Sequence, residues 1–227
     1  MSGVDCLGVS PSYLGYSVFL SDLQSGTAAR AGRICLFCGS SAGANPKYLA
    51  EAKSLGQRMA GGGWGLVYGG TSVGLMGAAA DAALAGHAEV IGVLPQNLQD
   101  REIAHRGLTK LHLVGSMHER KALMASLSDA FIALPGGYGT LDEFFEIVTW
   151  AQLKIHSKPC VLINTDGYYD FLLRFLDHAT REEFVRPANL KLVQVARDSV
   201  EALQWIEHQR GNVSLNYDGG APDGIKP

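Results

Sequence analysis

The chain has 227 residues, of which 47% are apolar and 18% charged, a composition typical of a soluble globular protein. This length is enough for one sizeable hydrophobic core, or at most two small ones. The formal net charge of −3 argues against a dedicated nucleic-acid-binding protein, and no apolar run approaches the roughly 18 residues that a membrane span needs.

The first 32 residues differ from the rest of the sequence. Glycine and serine are scattered through them, no hydrophobic period is sustained, and the cationic start of a secretory signal is missing. We expect residues 1–32 to be a poorly ordered extension. Residues 33–210 are expected to form one α/β domain, and residues 211–227 to form a loose tail.

Strand-like and helix-like segments alternate along the domain. "RICLFCGS" is predicted as the first strand, and Asn45 and Pro46 cap and open a helix that ends in Gly61-Gly62-Gly63. The further predicted strands are WGLVYGG, AEVIGVLP, LTKLHLVG, DAFIALPGG, KPCVLINT and LKLVQVA. The further predicted helices are SVGLMGAAADAALAG, SMHERKALMASL, TLDEFFEIVTWAQLKI, YYDFLLRFLDHAT and DSVEALQWIEHQ.

This alternation defines the predicted fold class. Strands so rich in apolar residues, connected by helices, indicate an α/β fold: a Rossmann-like doubly wound parallel sheet with helices on both faces. Ligands of such folds bind at the carboxyl ends of the strands. The turns that follow the strands are therefore where a site is expected.

Three of these strand-to-helix turns are rich in glycine or small hydroxyl residues: "CGSS" at 38–41, "GGTSVG" at 69–74 and "PGGYGT" at 135–140. Glycine lets a backbone approach an anion closely, and a helix N-terminus presents free N–H groups. One such turn is explained equally well by tight-turn geometry. Three at one edge of a sheet predict a crevice for a phosphate or a nucleotide.

Common nucleotide and catalytic motifs do not fit the sequence. Read from Gly137, the last glycine of a G-x-G-x-x-G falls on Asp142, and no G-x-x-x-x-G-K-[ST] loop is present. There is also no H-E-x-x-H and no carboxylate cluster, and the seven histidines are scattered. We therefore predict no metal.

The four cysteines lie at positions 6, 35, 38 and 160. Cys35 and Cys38 form a C-x-x-C, which is compatible with metal or redox chemistry. No second C-x-x-C completes a zinc site, and the pair sits in an apolar run, so buried strand thiols are the favoured interpretation. Few cysteines and no clear signal peptide predict a cytoplasmic protein.

Two T/S-x-x-E patterns allow both a structural and a functional interpretation. Thr140 and Glu143 have the spacing of a capping box, and so do Ser116 and Glu119. On a helical wheel Glu143 points well away from the predicted apolar stripe and falls in the first helical turn, beside the glycine loop. That stripe consists of Leu141, Phe144, Phe145 and Val148.

Arg120 and Lys121 follow the second capping pattern directly. They are either solvated charges or an anion-binding pair. An Arg-Lys pair in the first turns after a strand is well placed to balance a phosphate.

Together, these segments resemble the LONELY GUY family of cytokinin-activating phosphoribohydrolases. "PGGYGTLDE" matches the family's P-G-G-x-G-T-x-x-E motif, and "GGTSVGLMG", "MHERKALM", "SDAFIALPGG" and "VTWAQLKIHSKP" match in order. The resemblance covers about Arg33 to Gln209. The family also carries an old "lysine decarboxylase" label, but pyridoxal phosphate chemistry needs a Schiff-base lysine and nothing in the sequence singles one out.

The resemblance implies hydrolysis of the N-glycosidic bond of an N6-modified adenosine 5′-monophosphate, releasing the free base and ribose 5-phosphate. It implies no cofactor, a homodimer and a catalytic pair of Arg120 and Glu143. The carboxylate could stabilise an oxocarbenium-like cation, hold the ribose hydroxyls or activate water. The expected substrate-binding residues are Ser40, Gly70, Glu102, Lys121, Gly136, Gly137, Tyr138, Gly139, Thr140 and Thr149.

Two alternatives remain at this stage. One is an AMP nucleosidase that acts mainly on unmodified nucleotides through the same site. The other is a nucleotide-binding carrier or sensor without turnover, against which the presence of both Arg120 and Glu143 argues.

Overall fold

A computed structural model describes residues 31–96 and 104–215, the last five of these by their backbone alone. Its described part contains one seven-stranded sheet in which every strand pair is parallel. The strands are β1 (Gly32–Phe37), β2 (Trp64–Tyr68), β3 (Val90–Pro95), β4 (Lys110–Val114), β5 (Ala130–Ala133), β6 (Cys160–Ile163) and β7 (Val193–Ala196).

The sheet is doubly wound. Its strand order is β4-β3-β2-β1-β5-β6-β7, so the chain builds outward from β1 to β4 and then returns to continue from β5 on the other side. The direction of winding reverses between β1 and β5, which is where such sheets form a binding crevice. The three glycine-rich turns follow β1, β2 and β5, which are adjacent strands, so the prediction that they share one edge is confirmed.

Helices follow the strands as the sequence predicts, and one additional short helix precedes β7. The helices are α1 (Pro46–Gly61), α2 (Gly74–Ala85), α3 (Met117–Ser126), α4 (Tyr138–Gln152), α5 (Asp170–Arg181), α6 (Pro187–Leu190) and α7 (Ser199–Leu215). The start of α1 is capped as expected, because Asn45 Oδ1 accepts a hydrogen bond from the Lys47 N–H at 3.0 Å. Its C-cap is Gly62.

Alternate residues of each strand supply two hydrophobic clusters, one on each face of the sheet. Ile34 and Leu36 pack with α1, α2 and α7, whereas Cys35 and Phe37 pack with α3, α4 and α5. Helices on both faces confirm the predicted architecture. The same alternation sends Cys35 and Cys38 into different clusters as buried free thiols, which confirms the interpretation of the C-x-x-C.

The start of α4 corrects one prediction. The helix begins at Tyr138 with Gly137 as its N-cap and has no side-chain capping bond, so Thr140 and Glu143 do not form a capping box. Glu143 is the sixth helical residue and lies in the second turn. It shares the buried face of α4 with Thr140 and Ile147, so the expectation that it points away from the packed side is also wrong.

The pattern at α3 is partly a capping box. Ser116 Oγ accepts the Glu119 N–H at 3.2 Å, while Glu119 Oε2 accepts the N–H of Gly115 instead of that of Ser116. Within residues 31–96 and 104–215, no helix is both long enough and apolar enough to cross a membrane.

Candidate active site

The three glycine-rich turns are tied to one another by backbone hydrogen bonds. The Gly39 N–H donates to the Pro135 carbonyl at 3.0 Å, which joins the turn after β1 to the turn after β5. The Leu75 N–H donates to the Gly39 carbonyl at 3.1 Å, which joins the turn after β2 to the same point. The turns therefore form one connected unit at the switch point of the sheet.

Two glycines make this close approach feasible. A Cβ on Gly136 would overlap Thr140 Oγ1, and a Cβ on Gly74 would overlap the backbone of Ser40. Gly74 also has a φ of +63°, in the left-handed region that glycine occupies without strain. Side chains at either position would force the turns apart.

A crevice of about 370 Å³ lies above these turns. It is bounded by the turn after β1, by α2 and α3, and by the first two turns of α4. Its lining residues are Cys38, Gly39, Ser40, Met76, Met117, Arg120, Gly137, Tyr138, Gly139, Thr140, Asp142 and Glu143.

The N-terminus of α4 opens into this crevice. Because no side chain in the described part of the chain caps the helix, the N–H groups of its first turn are available to a ligand, and the helix dipole favours an anion there. The Thr140 side chain is buried beside these groups, whereas Tyr138 is 95% exposed at the mouth of the crevice. This end of the crevice is suited to a phosphate.

Arg120 extends from α3 into the crevice wall and is only 5% exposed. Its guanidinium lies against Gly69, where a Cβ would overlap Nη2. Nη1 lies 3.8 Å from the Met117 sulfur, and Nε is buried without a hydrogen-bond partner among the described residues. A buried cation with an unpaired donor is costly unless a ligand completes it.

Glu143 faces Arg120 from the second turn of α4 and is 8% exposed. Its Oε1 lies 3.9 Å from Arg120 Nη2, which is an ion-pair distance but too long for a hydrogen bond. Burial, reinforced by the charge of Glu143, raises the pKa of the neighbouring Cys38 thiol well above its usual value. Cys38 is therefore a neutral thiol in the crevice floor and not a nucleophile.

Lys121 is not among the lining residues of the crevice, although one of its partners, Asp142, is. Its Nζ lies 3.2 Å from Asp142 Oδ2 and 3.0 Å from Glu146 Oε2. Burial alone would lower the pKa of Lys121, but hydrogen bonds to Glu146 and Asp142 outweigh it and raise the pKa. The residue thus joins α3 to α4.

The structure brings together seven of the predicted site residues as lining of the crevice: Ser40, Arg120, Gly137, Tyr138, Gly139, Thr140 and Glu143. Gly136 lies directly behind them. Gly70 lies deeper, with its carbonyl accepting the His105 N–H, and Thr149 is exposed on α4 with its hydroxyl donating to the Phe145 carbonyl. Glu102 lies outside the described residues.

Six residues at the site are absent from the predicted set: Cys38, Gly39, Gly69, Met76, Met117 and Asp142. Gly39 and Gly69 lie in the glycine-rich turns that the sequence indicated, but the residues predicted there were their neighbours Ser40 and Gly70. Met76 and Met117 line the crevice, although methionine on a helix ordinarily indicates core packing.

A larger depression of about 1030 Å³ lies at the opposite edge of the sheet. Its lining includes Asp129 before β5 and the segment from Lys154 to Cys160 that leads into β6. Because parallel α/β sheets bind their ligands at the carboxyl ends of the strands, we assign the site to the smaller crevice. Among the described residues, no group of three or more His, Cys, Asp or Glu side chains is arranged to hold a metal ion.

The doubly wound sheet, with a crevice at its switch point beside the N-terminus of α4, defines a Rossmann-like α/β protein. Within this class the chain belongs to the LONELY GUY family. The family model described as "Possible lysine decarboxylase" matches residues 76–206.

Relatives with assigned names support this membership. The chain is 50% identical over 181 residues to a probable cytokinin riboside 5′-monophosphate phosphoribohydrolase of Oryza sativa subsp. japonica, covering 80% of this chain and 74% of the relative. It is also 50% identical over 174 residues to a cytokinin riboside 5′-monophosphate phosphoribohydrolase of Rhodococcoides fascians, covering 76% and 88%.

Among solved structures, the fold is similar to that of the molybdenum cofactor binding protein of Rippkaea orientalis. The TM-score is 0.62 at 26% identity, covering 81% of this chain and 99% of that chain. The decarboxylase description finds no support in the crevice, since no lysine is among its lining residues within the described part of the chain.

Proposed function

We propose that this protein hydrolyses the N-glycosidic bond of N6-modified adenosine 5′-monophosphates and releases the free base and ribose 5-phosphate. The observation that carries the proposal is the buried pair of Arg120 and Glu143, 3.9 Å apart, beside the uncapped N-terminus of α4. Relatives at 50% identity bear the name of this activity. The substrate carries an anionic phosphate, and its transition state is cationic at the ribose. The crevice offers the N-terminus of α4 to the phosphate and the Glu143 carboxylate to the cation.

The phosphate is assigned to the start of α4. The N–H groups of Tyr138, Gly139 and Thr140 are the first of the helix and have no side-chain cap. Ser40 and Thr140 add hydroxyls from either side of the crevice. This placement directs the ribose toward the second turn of α4.

Glu143 is assigned to the anomeric carbon. Departure of the base leaves an oxocarbenium-like ribosyl group, and a carboxylate held in a nearly dry wall stabilises that cation more than water would. Arg120 lies opposite the carboxylate and stabilises its negative charge while the ribose is absent. Its Nε, which has no hydrogen-bond partner among the described residues, is available to the substrate.

The crevice also has an apolar side formed by Met76 and Met117. Thioethers adapt to irregular apolar shapes, so this wall fits an N6 substituent as well as the adenine ring.

Incubation with AMP and with isopentenyladenosine monophosphate, followed by chromatography of the free base, tests the proposal. We expect base release from the modified nucleotide and little from its nucleoside, which lacks the phosphate; release from AMP alone would identify an AMP nucleosidase instead.

A carrier without turnover is the second candidate, because the Rippkaea orientalis structure is that of a cofactor-binding protein. That likeness rests on 26% identity, against 50% for the phosphoribohydrolases. Release of many equivalents of base per protein chain excludes a pure carrier. Retention of intact nucleotide at stoichiometric amounts would favour it.

We further propose that the protein is a homodimer. Leu153 and Ile155 at the end of α4 are 62% and 64% exposed, an apolar surface that a second copy would cover. Thr149 is exposed one turn before Leu153. Its proposed contact would therefore be with a substrate bound to the other copy across such an interface. Static light scattering should give about twice the chain mass of 24.2 kDa, and a monomer at micromolar concentration would remove the proposal.

Two further proposals concern Glu102 and the location of the protein. Glu102 stays a proposed substrate-binding residue on the family resemblance alone. A cytoplasmic location is proposed because Cys35, Cys38 and Cys160 are free buried thiols.

A further inference from the structure

The loop between β6 and α5 contacts the glycine turn after β5 through two tyrosine hydroxyls. Tyr168 Oη donates to the Gly136 carbonyl at 2.7 Å, and Tyr169 Oη donates to the Leu134 carbonyl at 2.7 Å. Neither tyrosine lines the crevice. They hold the chain that leads into the N-terminus of α4 from behind.

This loop is itself firmly positioned. Asn164 Oδ1 accepts the Tyr169 N–H at 2.7 Å, and Asn164 Nδ2 donates to Asp170 at 2.8 Å. Asp166, whose φ is +55°, accepts hydrogen bonds from Asn45 and Lys47 at the start of α1. The loop therefore connects the end of the turn after β1 to the turn after β5.

Ring packing fixes the direction of the Tyr168 hydroxyl. The Tyr168 ring lies edge-on to Tyr48, with centroids 5.4 Å apart, and edge-on to Tyr169, with centroids 4.8 Å apart. Such edge-to-face pairs are favourable arrangements of aromatic rings. With the ring held on two sides, the hydroxyl remains directed at Gly136.

A small displacement of Gly136 would move the start of α4, which borders the crevice. Its carbonyl accepts the Tyr168 hydroxyl, and a Cβ at Gly136 would overlap Thr140 and crowd the backbone nitrogen of Gly39. The next residue, Gly137, is the N-cap of α4, and neither Gly137 nor Gly139 has a neighbour that would restrain an added Cβ. The anchored carbonyl of Gly136 thus sets where the first N–H groups of the helix lie.

We propose that Tyr168 is a positioning residue for phosphate binding, which holds the glycine turn so that the N-terminus of α4 faces the substrate phosphate. The proposal deepens the proposed function and rests on its assignment of the phosphate to α4. Tyr168 acts through the backbone of Gly136 and does not touch the substrate.

Tyr168→Phe tests this role because it removes only the hydroxyl and keeps both ring contacts. We expect KM for the nucleotide to rise about five- to tenfold, the scale of one lost hydrogen bond, while kcat changes less than about twofold. The Kd of inorganic phosphate, measured as competitive inhibition, should weaken by the same factor. Tyr48→Phe is the matched control, since it removes a hydroxyl from the same aromatic group, and its KM should equal that of the wild type.

Calorimetric binding of AMP and of ribose 5-phosphate separates this proposal from the proposed function. If the wild type binds AMP but releases no base, the proposed function fails, and the ratio of Kd values for Tyr168→Phe and wild type still decides the role of Tyr168. A lowered melting temperature with unchanged KM and Kd would show a purely structural hydroxyl and overturn the proposal. Equal losses in Tyr48→Phe and Tyr168→Phe would overturn it as well.

Discussion

The Arg120 guanidinium and the Glu143 carboxylate face each other across the crevice at 3.9 Å without a hydrogen bond between them. They come from different helices, α3 and α4, and both side chains are at least nine-tenths removed from solvent. Burying two charges without optimal geometry costs several kcal/mol in desolvation, so stability alone does not explain the pair. Charged groups held in this way at the carboxyl edge of a parallel sheet are typical of a reaction centre.

The first prediction concerns Glu143→Gln. This change keeps the shape of the side chain but removes the negative charge that a ribosyl cation needs. Turnover should fall by about two orders of magnitude or more, the scale of a removed electrostatic or acid–base group. Melting temperature and AMP binding should persist, because the start of α4 is unchanged.

Glu146→Gln is the matched control for that variant. Glu146 lies three residues further along α4 and pairs with Lys121 outside the crevice lining. Turnover of Glu146→Gln should stay within about twofold of the wild type, as is usual for substitutions away from the reacting atoms. Near wild-type base release from Glu143→Gln would remove Glu143 from the mechanism.

A second prediction follows from the contact between Gly69 and Arg120. A Cβ in Gly69→Ala would overlap Arg120 Nη2, the mobile end of a long side chain, so we expect the guanidinium to move and the fold to persist. Misplacement of a catalytic group by about 1 Å can cost on the order of 100-fold in rate. Activity should therefore fall at least tenfold while the melting temperature changes little.

Gly61→Ala is the control for this substitution. A Cβ at Gly61 meets no atom within 4 Å, and the residue is the last of α1. Alanine has the higher helix propensity, so this variant should be as stable as the wild type or more stable by up to about 1 kcal/mol, with full activity. Equal activity loss in both variants would contradict the specific role of Gly69.

Much of this site was predictable because glycine turns and strand order are local signals. Three turns after apolar strands indicated a shared edge, and the strand order β2-β1-β5 places them there. Lys121 shows the limit of such reasoning. Successive residues of a helix point about 100° apart, so the packing of α3 on α4 decides which of Arg120 and Lys121 lines the crevice, and the structure has Arg120 there. Contact of Lys121 with the substrate stays a prediction.

Glu143 shows a second limit. A T-x-x-E spacing fits a capping box only if Thr140 is the N-cap, and the N-cap of α4 is Gly137, three residues earlier. Helix starts at glycine have no side-chain signal, so sequence patterns misplace them by a few residues. That shift moved Glu143 from the predicted first turn to a buried position in the second turn.

A third prediction concerns acid sensitivity and His156. Burial lowers the pKa of His156, opposed by its bond to the Ile147 carbonyl and assisted by Lys158. Its Nε2 lies 2.9 Å from that carbonyl and its Nδ1 accepts the Lys158 N–H at 3.1 Å, an arrangement that fits the neutral ring. The unfolded chain, with an ordinary histidine pKa of about 6.5, therefore binds a proton that the folded chain resists.

The contribution of His156 to the free energy of unfolding should thus be constant above about pH 7 and fall as the pH is lowered toward about 5. His156→Gln should reduce that slope in urea titrations at several pH values. The slope should not vanish, since burial also lowers the pKa of His112. An unchanged slope in His156→Gln would refute the assignment.

The last prediction decides between two roles of Lys121. If its Nζ binds the substrate, Lys121→Met should raise KM many-fold and leave stability unchanged. The contacts with Asp142 and Glu146 predict the reverse: loss of about 1–2 kcal/mol of stability, because a largely buried amine and two carboxylates lose their partners, with KM within about threefold of the wild type. For a domain of this size that corresponds to a melting temperature lower by about 2–8 °C.

Lys53→Met, at an exposed position of α1, controls for the loss of one surface charge and should change neither stability nor KM. Calorimetry and steady-state kinetics on the same preparations measure both, and a large KM effect at wild-type stability would assign Lys121 to the substrate after all.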